Sequence, residues 1–128
     1  MNNINQVLIE GVVTEKPELK IIGNAKFCCI NICYEQSFKD ITGCIRKSFN
    51  YFVVHTYNKL AEVSAKKTDK DCVIRIVGKL QQSKWFDCNG KENSRIIIIA
   101  EAIEFLTYEN ELRKKSFLNK NKELLNKN

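Results

Sequence analysis

The chain has 128 residues, 44% of them hydrophobic and 28% charged, a composition ordinary for a globular protein with one core. The longest apolar run, residues 96–100, is far too short to span a membrane, and the N-terminus has no secretory signal, so we expect a cytoplasmic protein. The net charge is +6, but it is unevenly placed: residues 110–128 hold six basic and two acidic side chains. Residues 1–109 therefore hold 15 basic and 13 acidic side chains, so any polyanion site in this part must arise from local clustering.

In the first half of the chain, apolar and polar residues alternate with the period of a β-strand. The alternation predicts three strands, over residues 7–13, 26–34 and 49–57. Turns at Pro17 and at Gly23-Asn24 separate the first two strands. Gly11 indicates a bend within the first strand. Residues 36–47 are polar and contain Asp40 and Gly43, which predicts a mobile loop.

The second half begins with a helix over residues 59–67, for which Asn58 is the predicted N-cap. Residues 72–85 form a fourth strand, and Asn89-Gly90 is a strong hairpin signal that leads into a fifth strand over residues 95–105. The run of four isoleucines in that last strand predicts burial on both of its faces.

Five strands with one helix between the third and the fourth have the element order of the OB-fold. This is a small Greek-key barrel whose face and loops bind oligonucleotides or oligosaccharides. The fold class predicted is therefore all-β with one short helix, in the order β-β-β-α-β-β. Residues 1–109 would form this domain, and residues 110–128 a short, basic, flexible tail.

The sequence carries no pattern typical of an enzyme or of a metal site. It has no phosphate-binding glycine loop, no nucleophile elbow and only one histidine, His55. None of the six cysteines forms a C-x-x-C pair, so we expect small buried hydrophobic side chains and neither zinc nor disulfides. No catalysis, cofactor or metal is predicted.

The aromatic residues indicate a binding surface. On the third strand Tyr51, His55 and Tyr57 share one face, and the other face is the predicted core. Aromatics next to lysines suit the stacking of unpaired bases, at about 1–3 kcal/mol per base, with cations for phosphates. The alternative is that each aromatic lies in the core or in a subunit interface, which is the interpretation preferred for Phe49 and Phe52.

Several stretches resemble the bacterial single-stranded DNA-binding protein family. The resemblance covers about residues 4–107. It rests on Asn5-Gln6-Val7-Leu8-Ile9-Glu10-Gly11, Lys16-Pro17-Glu18-Leu19-Lys20, Asn58-Lys59-Leu60-Ala61-Glu62-Val63, Val77-Gly78-Lys79-Leu80, Lys84-Trp85-Phe86-Asp87, Asn89-Gly90-Lys91, Ala100-Glu101 and Ile103-Glu104-Phe105-Leu106. It implies an OB-fold that binds single-stranded DNA without strong sequence preference and protects it in replication, recombination and repair, in association with the nucleoid. It also implies assembly into a homotetramer, with a dimer as the alternative.

By this resemblance, bases would stack on Phe38, Tyr51, Tyr57 and Trp85. Phosphate contacts would fall on five lysines: Lys39, Lys59, Lys70, Lys79 and Lys84.

The tail departs from the family pattern. Family members end in an acidic tip that recruits replication and repair proteins, whereas this chain ends Asn126-Lys127-Asn128. Recruitment by that route is therefore not implied. Two alternatives follow: a replication-restart accessory like primosomal replication protein N, which shares the barrel and lacks the tip, or an OB-fold protein-interaction subunit with its aromatics buried between chains.

Overall fold

Six strands and one helix make up residues 3–106, the part of the chain that the computed structural model describes. They are β1 (Val7–Val13), β2 (Leu19–Ile22), β3 (Ala25–Lys39), β4 (Ile45–Tyr57), α1 (Asn58–Lys67), β5 (Val73–Phe86) and β6 (Glu92–Phe105). The sheet order is β1-β5-β6-β4-β3-β2, and β1 also pairs with β3. This second pairing closes β1, β3, β4, β5 and β6 into a five-stranded barrel, so the predicted OB-fold is confirmed. The predicted 110–128 tail lies outside the described residues.

Two glycines stand where strands of the barrel approach each other closely. A Cβ on Gly11 would lie 3.1 Å from the Ile32 side chain, which agrees with the bend predicted as β1 turns from β5 toward β3. At Gly78 a Cβ would lie 2.1 Å from the backbone oxygen of Ile99. Gly78 is the last β5 residue paired with β1, and beyond it β5 and β6 continue together as a projecting hairpin.

The core lies inside the barrel, on the inward faces of these strands. Its largest fully buried side chains include Ile30, Ile32, Val54, Ile74 and Ile76. Helix α1 packs against β3, β4, β6 and β2, and its Ala61 joins the core. Burial on both faces of β6 is confirmed for the neighbours Ile97 and Ile98, whereas Ile96, farther along the hairpin, is exposed.

The loop predicted over residues 36–47 is wrong, because β3 runs on to Lys39 and β4 starts at Ile45. Only the residues between them form a turn, which the Asp40 carboxylate organises. Its Oδ1 accepts hydrogen bonds from the backbone N–H of Thr42 at 2.9 Å and of Cys44 at 3.0 Å. The sequence analysis did not predict the short strand β2. It lies between the turns at Pro17 and at Gly23-Asn24 and pairs with the start of β3.

The predicted cap at Asn58 is also wrong. The N-cap position belongs to Tyr57, which makes no side-chain cap hydrogen bond, and Asn58 itself has φ 57°. Strand β4 runs directly into α1 without a loop, so the chain must reverse within one residue. Asn tolerates the left-handed conformation that this reversal uses.

Of the two placements predicted for Phe49 and Phe52, core or subunit interface, the core placement is wrong, since they are 55% and 37% exposed in the single barrel. Both precede Val54, where β4 first pairs with β6, and so lie where the β3–β4 hairpin extends past the barrel. Hydrophobicity alone gave no indication of where the barrel stops.

All six cysteines are free. Cys28 is buried as predicted, but Cys44 and Cys88 are exposed in turns. Within residues 3–106 no helix has the length and apolarity that crossing a membrane requires. In the same range no group of three His, Cys, Asp or Glu side chains is placed to hold a metal ion.

Candidate nucleic-acid interface

The outward face of β4 carries the two tyrosines singled out from the sequence. Directly paired residues of antiparallel strands share a face, so Tyr51 lies beside Cys33 of β3 and Tyr57 beside Phe27. Tyr51 is 71% exposed and Tyr57 is 45% exposed, while the alternate residues Val54 and Thr56 are buried inside. The strand therefore presents both rings to solvent over a rigid core.

His55 is packed among the rings of this face. Its ring centroid lies 4.9 Å from that of Phe27 in an edge-on arrangement and 6.5 Å from that of Tyr57. Burial, and secondly the positive charge of Arg95, lower the pKa of His55 below 6.5. This shift favours the neutral imidazole, so His55 contributes an aromatic ring to the surface.

The β5–β6 hairpin carries the third ring, Trp85. The Asp87 carboxylate fixes the hairpin turn by accepting hydrogen bonds from the backbone N–H of Asn89 and of Lys91, each at 2.9 Å. These bonds, that of Lys91 first, lower the pKa of Asp87. Trp85 is 45% exposed, and the guanidinium carbon of Arg95 lies 6.0 Å from its ring centroid.

The two hairpins contribute to one continuous surface, because β4 and β6 pair in parallel through Val54–Ile98 and His55–Ile99. The outward face of β5 and β6 therefore continues onto that of β4 and β3. Burial raises the pKa of the Cys29 thiol on the β3 part of this face, and the positive charges of Arg95 and Lys20 oppose the rise.

Beside Cys29 the surface runs into a polar groove of about 380 Å³ between Asn31 and the segment of residues 15–18. The side-chain amide of Asn31 donates a hydrogen bond of 2.6 Å to the Glu15 carboxylate in this groove. The groove marks the border of the ring-bearing face on the side of β2.

Five of the residues implied by the resemblance share this outward face. They are Lys39, Tyr51, Tyr57, Lys79 and Trp85.

The other four lie elsewhere. Phe38 pairs with Arg46 on the opposite face of the β3–β4 hairpin, and Lys84 is on the opposite face of β5, with its Nζ 4.0 Å from the Glu92 carboxylate. Lys59 is at the start of α1 and forms an ion pair of 3.7 Å with Glu62, and Lys70 is in the turn before β5.

Arg95 is a cation of this face that the sequence analysis missed. It lies on the same side of the hairpin as Trp85, because Ser83 pairs with Arg95 and Trp85 pairs with Asn93. The signal was available: extending the Asn89-Gly90 hairpin in register places an arginine diagonally across from the tryptophan.

A closed five-stranded barrel that presents exposed rings and cations on one face defines an OB-fold binding module. The model of the Single-strand binding protein family matches residues 4–106, and the chain belongs to this family. The resemblance noted from the sequence is thereby confirmed.

Individual relatives agree. A single-stranded DNA-binding protein of Helicobacter pylori is 26% identical over 103 residues, which cover 80% of this chain and 58% of that protein. One of Aquifex aeolicus is 28% identical over 104 residues, covering 80% of this chain and 70% of that protein. The chain thus spans 58% and 70% of the lengths of these two relatives.

Solved structures show the same barrel. The single-stranded DNA-binding protein of Thermus aquaticus superposes with a TM-score of 0.69 at 26% identity, over 80% of this chain and 50% of that chain. The Plasmodium falciparum protein, solved in complex with single-stranded DNA, superposes with a TM-score of 0.78 at 19% identity, over 83% and 97% of the two chains.

Proposed function

We propose that this chain binds single-stranded DNA, largely without sequence preference and without catalysing a reaction. The observation that carries the proposal is the exposure of Tyr51, Tyr57 and Trp85 on one continuous face, where a monomeric barrel has no structural need for rings. Every base has a π-face, so such rings bind unpaired DNA of any sequence, at about 1–3 kcal/mol per stacked base. Family membership and the complex solved for the Plasmodium falciparum relative support the same conclusion.

The cations of the same face would bind the DNA backbone. Lys39 and Lys79 share the face of the rings and are the phosphate contacts that this geometry favours. Lys59 and Lys84 lie off this face and are ion-paired with Glu62 and Glu92, so we do not count them among the phosphate contacts. Phe38 and Lys70 would be reached only by a strand that continues around the barrel.

We place the activity in the protection of single-stranded DNA during replication, recombination and repair, in the cytoplasm at the nucleoid. Assembly of several barrels, most simply a homotetramer, would multiply modest affinities per barrel, since linked sites act at high effective concentration. The affinity of the assembly for one DNA strand would then depend on the number of barrels that contact it.

The test is a titration with oligo-dT. Wild-type protein is expected to bind with micromolar or better affinity, with quenching of Trp85 emission. Trp85→Ala is expected to weaken binding in a filter assay about 5- to 150-fold, the equivalent of one stacked base. The matched control is Phe86→Ala, which removes a ring that is 72% exposed on the opposite face of the same strand and should change affinity less than twofold.

Unchanged Trp85 emission at saturation, or equal losses in the two variants, would contradict stacking at this face. Absence of any wild-type affinity for oligo-dT would overturn the proposed function itself.

A further inference from the structure

Arg95 differs from the other arginines of residues 3–106 in its electrostatic environment. Arg46 pairs with Asp40, and Arg75 contacts Glu104 at 3.0 Å and Glu10 at 3.3 Å. Arg95 has no carboxylate within ion-pair distance in the part of the chain that the structure describes. Its positive charge is therefore available to an anion that is not part of the barrel.

The position of this charge is between the stacking rings. The guanidinium lies 6.0 Å from the Trp85 ring centroid on β5, and its charge acts on both His55 of β4 and Cys29 of β3. Lys20 of β2 is a further cation of the same face, because it pairs with Phe27, the β3 residue beside Tyr57. The two cations thus mark a line that crosses the strands from the β5–β6 hairpin toward β2.

We propose that Arg95 binds a DNA phosphate between a base stacked on Trp85 and the bases stacked over β4, so that the strand crosses the sheet from Trp85 toward Lys20. This inference rests on the proposed function and assigns a path and an anchor within it. A guanidinium presents a planar fork of donors that matches two phosphate oxygens. Contact with the Trp85 ring holds the fork over the face, and no carboxylate has to be displaced before the phosphate binds.

The cations of the hairpin differ in their availability to a phosphate. Lys84 is one strand position from Trp85, but it lies on the opposite face and is paired with Glu92. Adjacency in sequence made Lys84 the expected phosphate contact, whereas the geometry assigns that role to Arg95. The two residues give a matched pair, because replacing either with glutamine removes one positive charge from the same hairpin.

The experiment measures oligo-dT affinity for wild type, Arg95→Gln, Arg95→Lys and Lys84→Gln over a range of salt concentrations. Each phosphate contact on a single strand contributes about 0.7 to the slope of log K against log salt. Arg95→Gln is expected to lower the magnitude of the slope by about 0.7, and Lys84→Gln to leave it within about 0.2. Arg95→Lys should keep most of the slope while binding more weakly than wild type, because it retains the charge but not the fork.

Trp85 quenching at saturation provides the second readout. It should persist in Arg95→Gln if the ring still stacks and only the phosphate contact is lost. A slope for Arg95→Gln equal to that of wild type, or a loss in Lys84→Gln as large as in Arg95→Gln, would overturn the inference while leaving the proposed function intact. Failure of wild-type protein to bind oligo-dT would instead overturn the proposed function.

Discussion

Replacing Gly78 with alanine tests how the β5–β6 hairpin leaves the barrel. The new Cβ would lie 2.1 Å from the backbone oxygen of Ile99, 3.0 Å from its carbonyl carbon and 3.1 Å from Cα of Ala100. Ordinary contact at this position begins at 3.4 Å, and all three atoms are main chain, so no side-chain rotation can relieve the overlap. The strands must separate by more than about 1 Å, which is more than their ladder hydrogen bonds tolerate.

The expected cost combines overpacking with weakened pairing. Extra methyl groups in a packed interior cost about 1–3 kcal/mol, and each backbone hydrogen bond lost adds about 1 kcal/mol. We expect Gly78→Ala to lower the free energy of unfolding by about 3–5 kcal/mol. This is a large fraction of the roughly 5–15 kcal/mol typical of a domain and corresponds to a fall in Tm of at least about 12 °C.

The assay is urea unfolding at one fixed protein concentration, with Gly90→Ala as the control. Gly90 has φ 78°, and no atom of residues 3–106 outside its immediate neighbours lies within 4 Å of the position that an added methyl group would take. Only the left-handed backbone penalty of about 1–2 kcal/mol therefore applies there. A cost for Gly78→Ala below about 1 kcal/mol, or no larger than that of Gly90→Ala, would show that the close approach of the strands is not what requires glycine.

Three further outcomes are expected. Thr56→Val should cost about 1–2 kcal/mol of stability in denaturant unfolding, because the buried hydroxyl donates a 2.8 Å hydrogen bond to a β3 carbonyl; no loss would contradict this role. The Arg46 contact and the turn hydrogen bonds lower the pKa of Asp40 to about 2. Asp40 should therefore stabilise its turn above about pH 4 and lose that effect as the pH falls through about 2; a titration midpoint near 3.8 by NMR would refute this. NMR should also give His55 a pKa below 6.5 that rises in Arg95→Gln, so oligo-dT affinity should not depend on this histidine between about pH 7 and 8.

The strand faces could be predicted because alternation is local. One face of β4 carries Val54 and Thr56, and the other carries the tyrosines, so the inward and outward sets follow from the sequence alone. The end of a strand does not follow in the same way. Asp40 and Gly43 are as common in mobile loops as in hairpin turns, and only pairing between β3 and β4 distinguishes the two.

The site was predictable in its parts and not in its arrangement. Tyr51 and Trp85 are on different hairpins, and the relation between them depends on the β4–β6 pairing, which joins residues far apart in sequence. The side on which Phe38 lies depends on β3 continuing as a regular strand to Lys39, which the expected loop concealed. Lysines next to aromatics drew attention through adjacency, although neighbouring residues of a strand point in opposite directions.

The short parallel seam between β4 and β6 has a consequence for how the barrel forms. Two local hairpins, β3–β4 and β5–β6, can zip up from their turns, but the seam is only Val54–Ile98 and His55–Ile99 and must close over a long intervening chain. Its loop-closure entropy makes the seam a late and costly step of folding. With only two residue pairs it is a weak joint of the barrel, as is the two-pair contact of β1 with β3. A strand of DNA that crosses from one hairpin to the other would hold this seam closed. At a DNA concentration of about 100 times the Kd, its binding would add about 2.7 kcal/mol to the stability of the closed form.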